Sequence, residues 1–191
     1  MRHVAVAILA GCAAARGATG TCFFAAPGRA VSSLHVVRDA RDIWVRDAAG
    51  RVTRATQLAA DEEADLVELQ VDTEAPVLAL ATSDPPIGAP VAAYRAGEAA
   101  LRGSIVSVGA LGRAFLLGTS IAAVRGASGG PLLDARGAVA GVMVRRRTGE
   151  RLAFAVAASR VRAAFGDLPA APHLADPRAA VCEVLVRDTR R

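Results

Sequence analysis

Short apolar segments, punctuated by Gly, Pro and Asp, recur along the whole chain, and runs with helical spacing are scarce. This pattern is typical of an antiparallel β protein, because half-buried strands are short and end at turn-forming residues. We therefore predict twelve strands, at residues 4–9, 21–25, 30–34, 42–47, 51–59, 65–71, 90–94, 102–108, 114–120, 131–134, 137–144 and 151–156.

Twelve strands are enough for two packed six-stranded barrels. The division falls in residues 72–88, where Pro and Asp are frequent and a connecting loop is expected. The pattern thus predicts an all-β fold of two six-stranded antiparallel β-barrels, the N-terminal one at about residues 4–75 and the C-terminal one at about residues 86–157.

A short C-terminal helix is predicted at residues 158–165, with Ser159 as its capping residue and Gly166 as its stop. The Pro-containing residues 169–191 are interpreted as a tail after the folded domain. Within this tail the apolar residues 181–186 either return as an edge strand or stay outside the barrels.

Length and composition are those of a folded domain, since 53% of the 191 residues are hydrophobic, which disfavours disorder. The net charge of +5 comes from scattered arginines, and the one run, residues 145–147, precedes a Thr-Gly turn as at an exposed hairpin tip. The seven aromatic residues give no stacking platform for bases, so no nucleic-acid partner is expected.

The N-terminus has two interpretations. Residues 9–12 (LAGC) follow an apolar run and resemble a lipobox, whose cleavage would leave a lipid anchor at Cys12 and place the protein in the cell envelope or periplasm, or outside the cell. Alternatively, residues 4–9 are the first strand of a cytoplasmic protein. A transmembrane helix is not expected, because no segment approaches about 20 apolar residues.

The cysteines Cys12, Cys22 and Cys182 are odd in number and have no metal-binding spacing, so they predict no metal site. If Cys12 is lipidated, Cys22 and Cys182 remain as a disulfide pair in an oxidising compartment. A Cys12–Cys22 bridge and three free thiols are equally compatible with the sequence.

Residues 126–132 (GASGGPL) place Ser128 among glycines before an apolar strand. A nucleophilic serine needs this arrangement, because a tight glycine-containing loop can direct two backbone N–H groups at the oxyanion that forms during acyl transfer. The motif alone also fits the nucleophile elbow of α/β-hydrolases and an ordinary glycine-rich turn.

Two residues upstream offer the partners that Ser128 would need. His35 ends an apolar run, and Asp65 directly precedes another apolar run. A buried strand there would carry the Asp65 carboxylate inward, where it can orient an imidazole. The neighbouring Asp61, with two glutamates after it, is predicted to be solvated. The chain order His35, Asp65, Ser128 is that of the chymotrypsin triad and differs from the order in α/β-hydrolases.

Four motifs, three of which contain His35, Asp65 and Ser128 in that order, resemble the successive signatures of trypsin-like serine proteases, especially of their bacterial HtrA-like branch. The resemblance covers about residues 4–168 and implies a chymotrypsin-like double barrel over residues 1–168. The residues that follow are too few for a PDZ-like domain. The motifs are residues 20–24 (GTCFF), 33–37 (SLHVV), 65–69 (DLVEL) and 126–132, and further similarity lies at residues 87–91, 103–107 and 137–142.

The resemblance implies a role for each site residue. Ser128 attacks the carbonyl of a protein or peptide substrate, His35 transfers the proton, and Asp65 stabilises the imidazolium. The backbone N–H groups of Gly126 and Ser128 form the oxyanion hole, and the implied mechanism needs neither a metal nor a cofactor. Ala127 stands where the family usually has Asn or Asp, so an ion pair to that side chain is not available here.

The resemblance also implies where the side chain of the cleaved residue binds. The expected lining residues of this specificity pocket are Ala122, Val142, Met143 and Phe154. They include no carboxylate, which favours small aliphatic side chains over Arg or Lys at the cleaved position.

Two other functions remain as alternatives. One is a catalytically silent double-barrel module that binds peptides or proteins, against which the complete set of triad residues argues. The other is an α/β-hydrolase esterase using Ser128, Asp167 and His173, which is disfavoured because few residues follow the serine and no strand–helix alternation precedes it. The sequence leaves the oligomeric state open.

Overall fold

The computed structural model describes residues 19–112, 114–144, 152–166, 168 and 174–188. Within these ranges the strands form two closed six-stranded antiparallel barrels, which confirms the predicted all-β double barrel. The predicted strand at residues 4–9, the arginine run 145–147, Cys12, Asp167 and His173 lie outside the described residues.

The N-terminal barrel begins with five strands in sequence. A four-residue helix, α1 (Leu34–Val37), follows the second strand and buries three of its four side chains in the barrel core. The strands are β1 (Thr19–Ala26), β2 (Arg29–Ser33), β3 (Ala40–Arg46), β4 (Val52–Asp61) and β5 (Leu66–Val71).

The C-terminal barrel contains the next six strands and is followed by α2 (Ala158–Phe165), the predicted helix. Ser159 does not cap this helix as predicted. Instead, Asp84 of the interbarrel connection accepts hydrogen bonds from the backbone N–H and the hydroxyl of Ser159, at 3.2 and 2.6 Å. The strands are β6 (Pro90–Ala93), β7 (Leu101–Leu111), β8 (Ala114–Ala122), β9 (Pro131–Leu133), β10 (Val139–Val144) and β11 (Leu152–Ala157).

The N-terminal barrel is closed by a strand from the other end of the chain, β12 (Val181–Asp188). It pairs with β1 on one side and β3 on the other, so it has no free edge. Cys22 and Cys182 lie opposite each other in this register, are fully buried, and form a disulfide. Of the pairings that the sequence left open, the structure contains this one.

The two barrels share a third apolar cluster between their own cores. Alternation along β1 sends Phe24 into the N-terminal core and Phe23 into this shared cluster, because successive side chains of a strand face opposite sides. Val142 of β10 and Val161 of α2 pack into the same cluster. Full burial of one such side chain contributes about 1.5–3 kcal/mol, so the cluster fixes the barrels against each other.

The Cys22–Cys182 disulfide is expected to stabilise the fold by connecting strands that are 160 residues apart in sequence. Replacing both cysteines by alanine should lower the free energy of unfolding by about 2–4 kcal/mol, since the unfolded chain gains conformational freedom. Urea unfolding followed by circular dichroism measures this loss. Val52→Ala, at a position that is 44% exposed, is the control and should change stability little. A loss no larger than that of the control would contradict the expectation.

Candidate active site

Asp65 is held in an unusual backbone conformation at the turn between β4 and β5. Its φ of 55° makes it the only non-glycine residue with positive φ among the described residues. Such a conformation costs on the order of 1 kcal/mol and persists where surrounding contacts determine it. Those contacts come from α1: the Leu34 N–H donates to the Asp65 carbonyl at 3.0 Å, and the His35 N–H donates to Asp65 Oδ1 at 2.8 Å.

His35 hydrogen-bonds to the second oxygen of the same carboxylate. Its Nδ1 lies 2.5 Å from Asp65 Oδ2, and both side chains are about one-third exposed, at 31% and 28%. A carboxylate oxygen accepts, so Nδ1 carries the proton and Nε2 is left as the acceptor. The backbone and ring bonds together fix the position, the orientation and the tautomer of the imidazole.

The turn that carries Asp65 is braced from the C-terminal half of the chain. Asp61, which was predicted to be solvated, forms an ion pair with Arg160 of α2, and its side chain is only 12% exposed. Its Oδ1 also accepts from the Ala64 N–H at 3.1 Å, one residue before Asp65. The solvated assignment was wrong because the position of α2 over this turn is not visible in the local sequence.

The loop with Ser128 packs directly on the segment that leads into His35. Gly129, with φ of 84°, lies so close to β1 and β2 that a β-carbon there would be 2.8 Å from the Ser33 nitrogen and would overlap Thr21 O and Ser32 Oγ. The Gly129 N–H and the Ser33 hydroxyl donate to the same carbonyl, Met143 O, at 2.7 and 3.0 Å. Half-buried Ser128 is thereby held beside the start of α1.

The carbonyl groups of the serine loop are held by donors. Thr21 Oγ1 donates to Gly126 O at 2.7 Å, and the Thr21 N–H donates to Ser128 O at 2.9 Å. Among the backbone hydrogen bonds of the described residues, none has the N–H of Gly126 or of Ser128 as donor. Within the described part of the chain, these two N–H groups are thus not used in backbone pairing.

The structure corrects half of the predicted specificity pocket. Val142 and Met143 are 0% and 3% exposed, Val142 in the interbarrel cluster and Met143 in the C-terminal core, so neither side chain faces a substrate. Ala122, at the end of β8, is exposed, and Phe154 is half-buried on β11 beside Gly118. The prediction failed because both faces of β10 are buried, which alternation along one strand does not reveal.

The sequence pattern did not identify two hydroxyl residues that hold the serine loop. Thr21 stands out only as part of a family motif, although its hydroxyl and N–H bind the carbonyls of this loop. Ser32, fully buried, donates to Thr21 O at 2.7 Å, which links β2 to β1 beneath the same loop. The only signal in the sequence was the pair of hydroxyl residues Ser32 and Ser33, which Leu34 separates from His35.

The described part of the chain contains neither a metal-binding cluster nor a membrane-spanning helix. The residues there contain no cluster of His, Cys, Asp or Glu that could hold a metal ion. None of the helices in those ranges combines the length and the apolarity required to span a membrane. The antiparallel barrels exclude the α/β-hydrolase alternative, which requires a parallel sheet flanked by helices.

Comparison with solved structures finds the same architecture in other proteases. An inactive serine-to-alanine mutant of Rv3671c from M. tuberculosis H37Rv is 23% identical with a TM-score of 0.66, covering 78% of this chain and 80% of that one. The HtrA-type protease AlgW, solved with a decapeptide, is 26% identical with a TM-score of 0.66. That match covers 74% of this chain and 50% of the AlgW chain, so the protein spans about half of AlgW.

The sequence itself matches a family profile, that of the trypsin-like peptidase domain, over residues 20–142. No curated protein matches it significantly. The matched range runs from the start of β1 into β10 and includes His35, Asp65 and Ser128. Because this range is more than half of the chain, the protein belongs to the trypsin-like peptidase domain family and is a serine peptidase with the double-barrel fold of HtrA-type proteases.

Proposed function

We propose that the protein is an endopeptidase whose catalytic triad is His35, Asp65 and Ser128 and whose oxyanion hole is formed by the N–H groups of Gly126 and Ser128. The observation that carries the proposal is that the Asp65 carboxylate binds His35 twice, through the backbone N–H at 2.8 Å and through Nδ1 at 2.5 Å. The packing of the serine loop on Ser33, two residues before His35, supports it further.

In the proposed mechanism, Nε2 of His35 takes the proton of the Ser128 hydroxyl as Oγ attacks the scissile carbonyl. The tetrahedral oxyanion accepts hydrogen bonds from the two free N–H groups of the serine loop. The imidazolium, stabilised by Asp65, then donates its proton to the leaving amine. A water molecule, deprotonated by the same imidazole, hydrolyses the acyl-enzyme and regenerates Ser128.

The proposed substrates are proteins or peptides with a small aliphatic side chain at the cleaved position. The apolar side chains near the serine loop support this preference. Val124 is 39% exposed, and Leu152, at 41%, pairs with exposed Ala122 across β11 and β8. Half-buried Phe154 lies two residues beyond Leu152. Apolar surfaces of this kind favour uncharged side chains, because a charged group would lose its hydration there.

We also propose that the protein works in an oxidising compartment, in the cell envelope or outside the cell. The buried Cys22–Cys182 disulfide supports this location, because disulfides rarely persist in a reducing cytosol. This pairing is also the one that leaves Cys12 for a lipid anchor.

Nucleophilic reactivity tests the proposed role of Ser128. A fluorophosphonate probe should label the wild-type protein and fail to label Ser128→Ala, because the probe needs an activated hydroxyl. Ser120→Ala, which removes an exposed hydroxyl on β8, is the matched control and should be labelled like wild type. A correctly folded wild type that stays unlabelled would favour the silent binding module instead.

Asp65→Asn tests the proposed role of the carboxylate. Asn tolerates positive φ and keeps an acceptor for the His35 N–H, so the fold should remain intact. Its amide would stabilise the wrong imidazole tautomer, and we expect kcat to fall by about 10³–10⁴-fold with little change in KM. Steady-state hydrolysis of a peptide substrate measures both constants. Asp42→Asn, at a surface ion pair, is the control. A loss below tenfold would contradict the triad.

Cleavage-site profiling on a peptide library tests the proposed specificity. We expect cleavage after Ala and Val, with Arg and Lys disfavoured at that position by at least about tenfold, the discrimination that one to three kcal/mol provides. The Ser128→Ala variant, run in parallel, removes signal from contaminating proteases. Predominant cleavage after Arg or Lys would refute the preference while leaving the peptidase activity intact.

A further inference from the structure

Arg95, just beyond β6, contacts the loop that carries Ser128. Its Nη1 donates to the Arg125 carbonyl at 2.8 Å, and its Nη2 lies 2.8 Å from Glu98 Oε1. A β-carbon on Gly126 would be 3.4 Å from Arg95 Cδ, so the stem of the side chain packs against the loop as well. The side chain is 34% exposed. Arg95 thus reaches from the end of β6 to the peptide unit directly before Gly126.

The hydrogen bond from Arg95 determines which way the Gly126 N–H points. The Arg125 carbonyl and the Gly126 N–H belong to one planar trans peptide unit, and in such a unit the two groups point in opposite directions. The guanidinium draws the carbonyl to its own side, so the N–H faces away from Arg95. Gly126, with φ of 79°, has no β-carbon to resist rotation of this peptide, so a fixed donor is needed to hold it.

The neighbouring peptides of the loop are held in a comparable way by neutral donors. Gly126 O and Ser128 O accept from the hydroxyl and the N–H of Thr21, and Ala127 O accepts from the Gly130 N–H at 2.9 Å. The Arg125 carbonyl differs from these carbonyls in that its donor, the guanidinium of Arg95, is charged. A charged donor makes the stronger hydrogen bond and also polarises the peptide, which strengthens its N–H as a donor.

We infer that Arg95 is a positioning residue for the oxyanion hole: it fixes the Arg125–Gly126 peptide with the N–H directed at the reacting carbonyl oxygen, and Glu98 holds its guanidinium in place. The inference rests on the proposed function of Gly126 and Ser128 as oxyanion donors. In this role Arg95 acts through the peptide that it holds and not directly on the substrate. Its effect is on the fraction of molecules in which the Gly126 N–H is correctly oriented.

The test compares wild type with Arg95→Met and Arg95→Lys in single-turnover acylation by a p-nitrophenyl ester, which needs no knowledge of the peptide specificity. Arg95→Met should slow acylation about ten- to a hundredfold, the usual effect of losing a charged hydrogen bond. Affinity for a peptide boronic acid, whose anionic tetrahedral adduct with Ser128 mimics the reaction intermediate, should fall as well. KM for a peptide and the pH midpoint of acylation should stay unchanged, whereas a general loss of structure would alter both. Arg95→Lys should recover part of the rate, because it keeps a cationic donor.

Two further variants and a folding check complete the test. Glu98→Gln should cause a smaller loss in the same direction as Arg95→Met. Arg54→Met, which breaks an exposed ion pair with Asp42, should leave the rate unchanged. If Arg95→Met fails to fold in a thermal-unfolding check, Arg95→Lys and Glu98→Gln provide the comparison.

The outcomes separate the inference from the proposed function. A folded Arg95→Met that acylates within twofold of a reactive wild type overturns the inference and leaves the triad standing. A folded wild type that does not acylate at all overturns the proposed function and the inference together. A rate loss matched by an equal rise in KM, or by a shifted pH midpoint, also overturns the inference, since it points to general damage at the site.

Discussion

The space beside Gly129 is taken by the backbone of β1 and the end of β2, so no β-carbon can occupy this position. This contact brings the serine loop of one barrel against the strands of the other, and the remaining geometry of the site depends on it. Ser33 shares the Met143 carbonyl with Gly129, and the chain then enters α1, where His35 meets Asp65. One close approach between two backbones thus fixes the position of the serine loop relative to His35.

A second layer of contacts holds these parts from outside. Thr21 and Arg95 fix the carbonyls of the serine loop, and Arg160 pairs with Asp61 at the turn that carries Asp65. Ala127 stands where family members usually carry Asn or Asp, so this chain has no side-chain ion pair at that position. The loop is held instead by hydrogen bonds to its carbonyl oxygens.

The sequence was sufficient for the parts of the structure that depend on local pattern. Strand spacing predicted the double barrel, and the order of His35, Asp65 and Ser128 selected the family. Contacts between distant segments were not predictable. Asp61 is paired with a helix 99 residues away, and Val142 and Met143 lie on a strand that is buried on both faces. In each case the side chain looked available because its partner comes from elsewhere in the chain.

The insertion of β12 between β1 and β3 means that the N-terminal barrel, unlike the C-terminal one, does not correspond to one continuous stretch of chain. A ribosome would complete all six strands of the C-terminal barrel before the last strand of the N-terminal barrel emerged. Until then β1 and β3 have unpaired edges, which are prone to pair with other chains. The barrel that carries His35 and Asp65 is therefore the last to close, and a chain without β12 leaves these two residues on an open sheet.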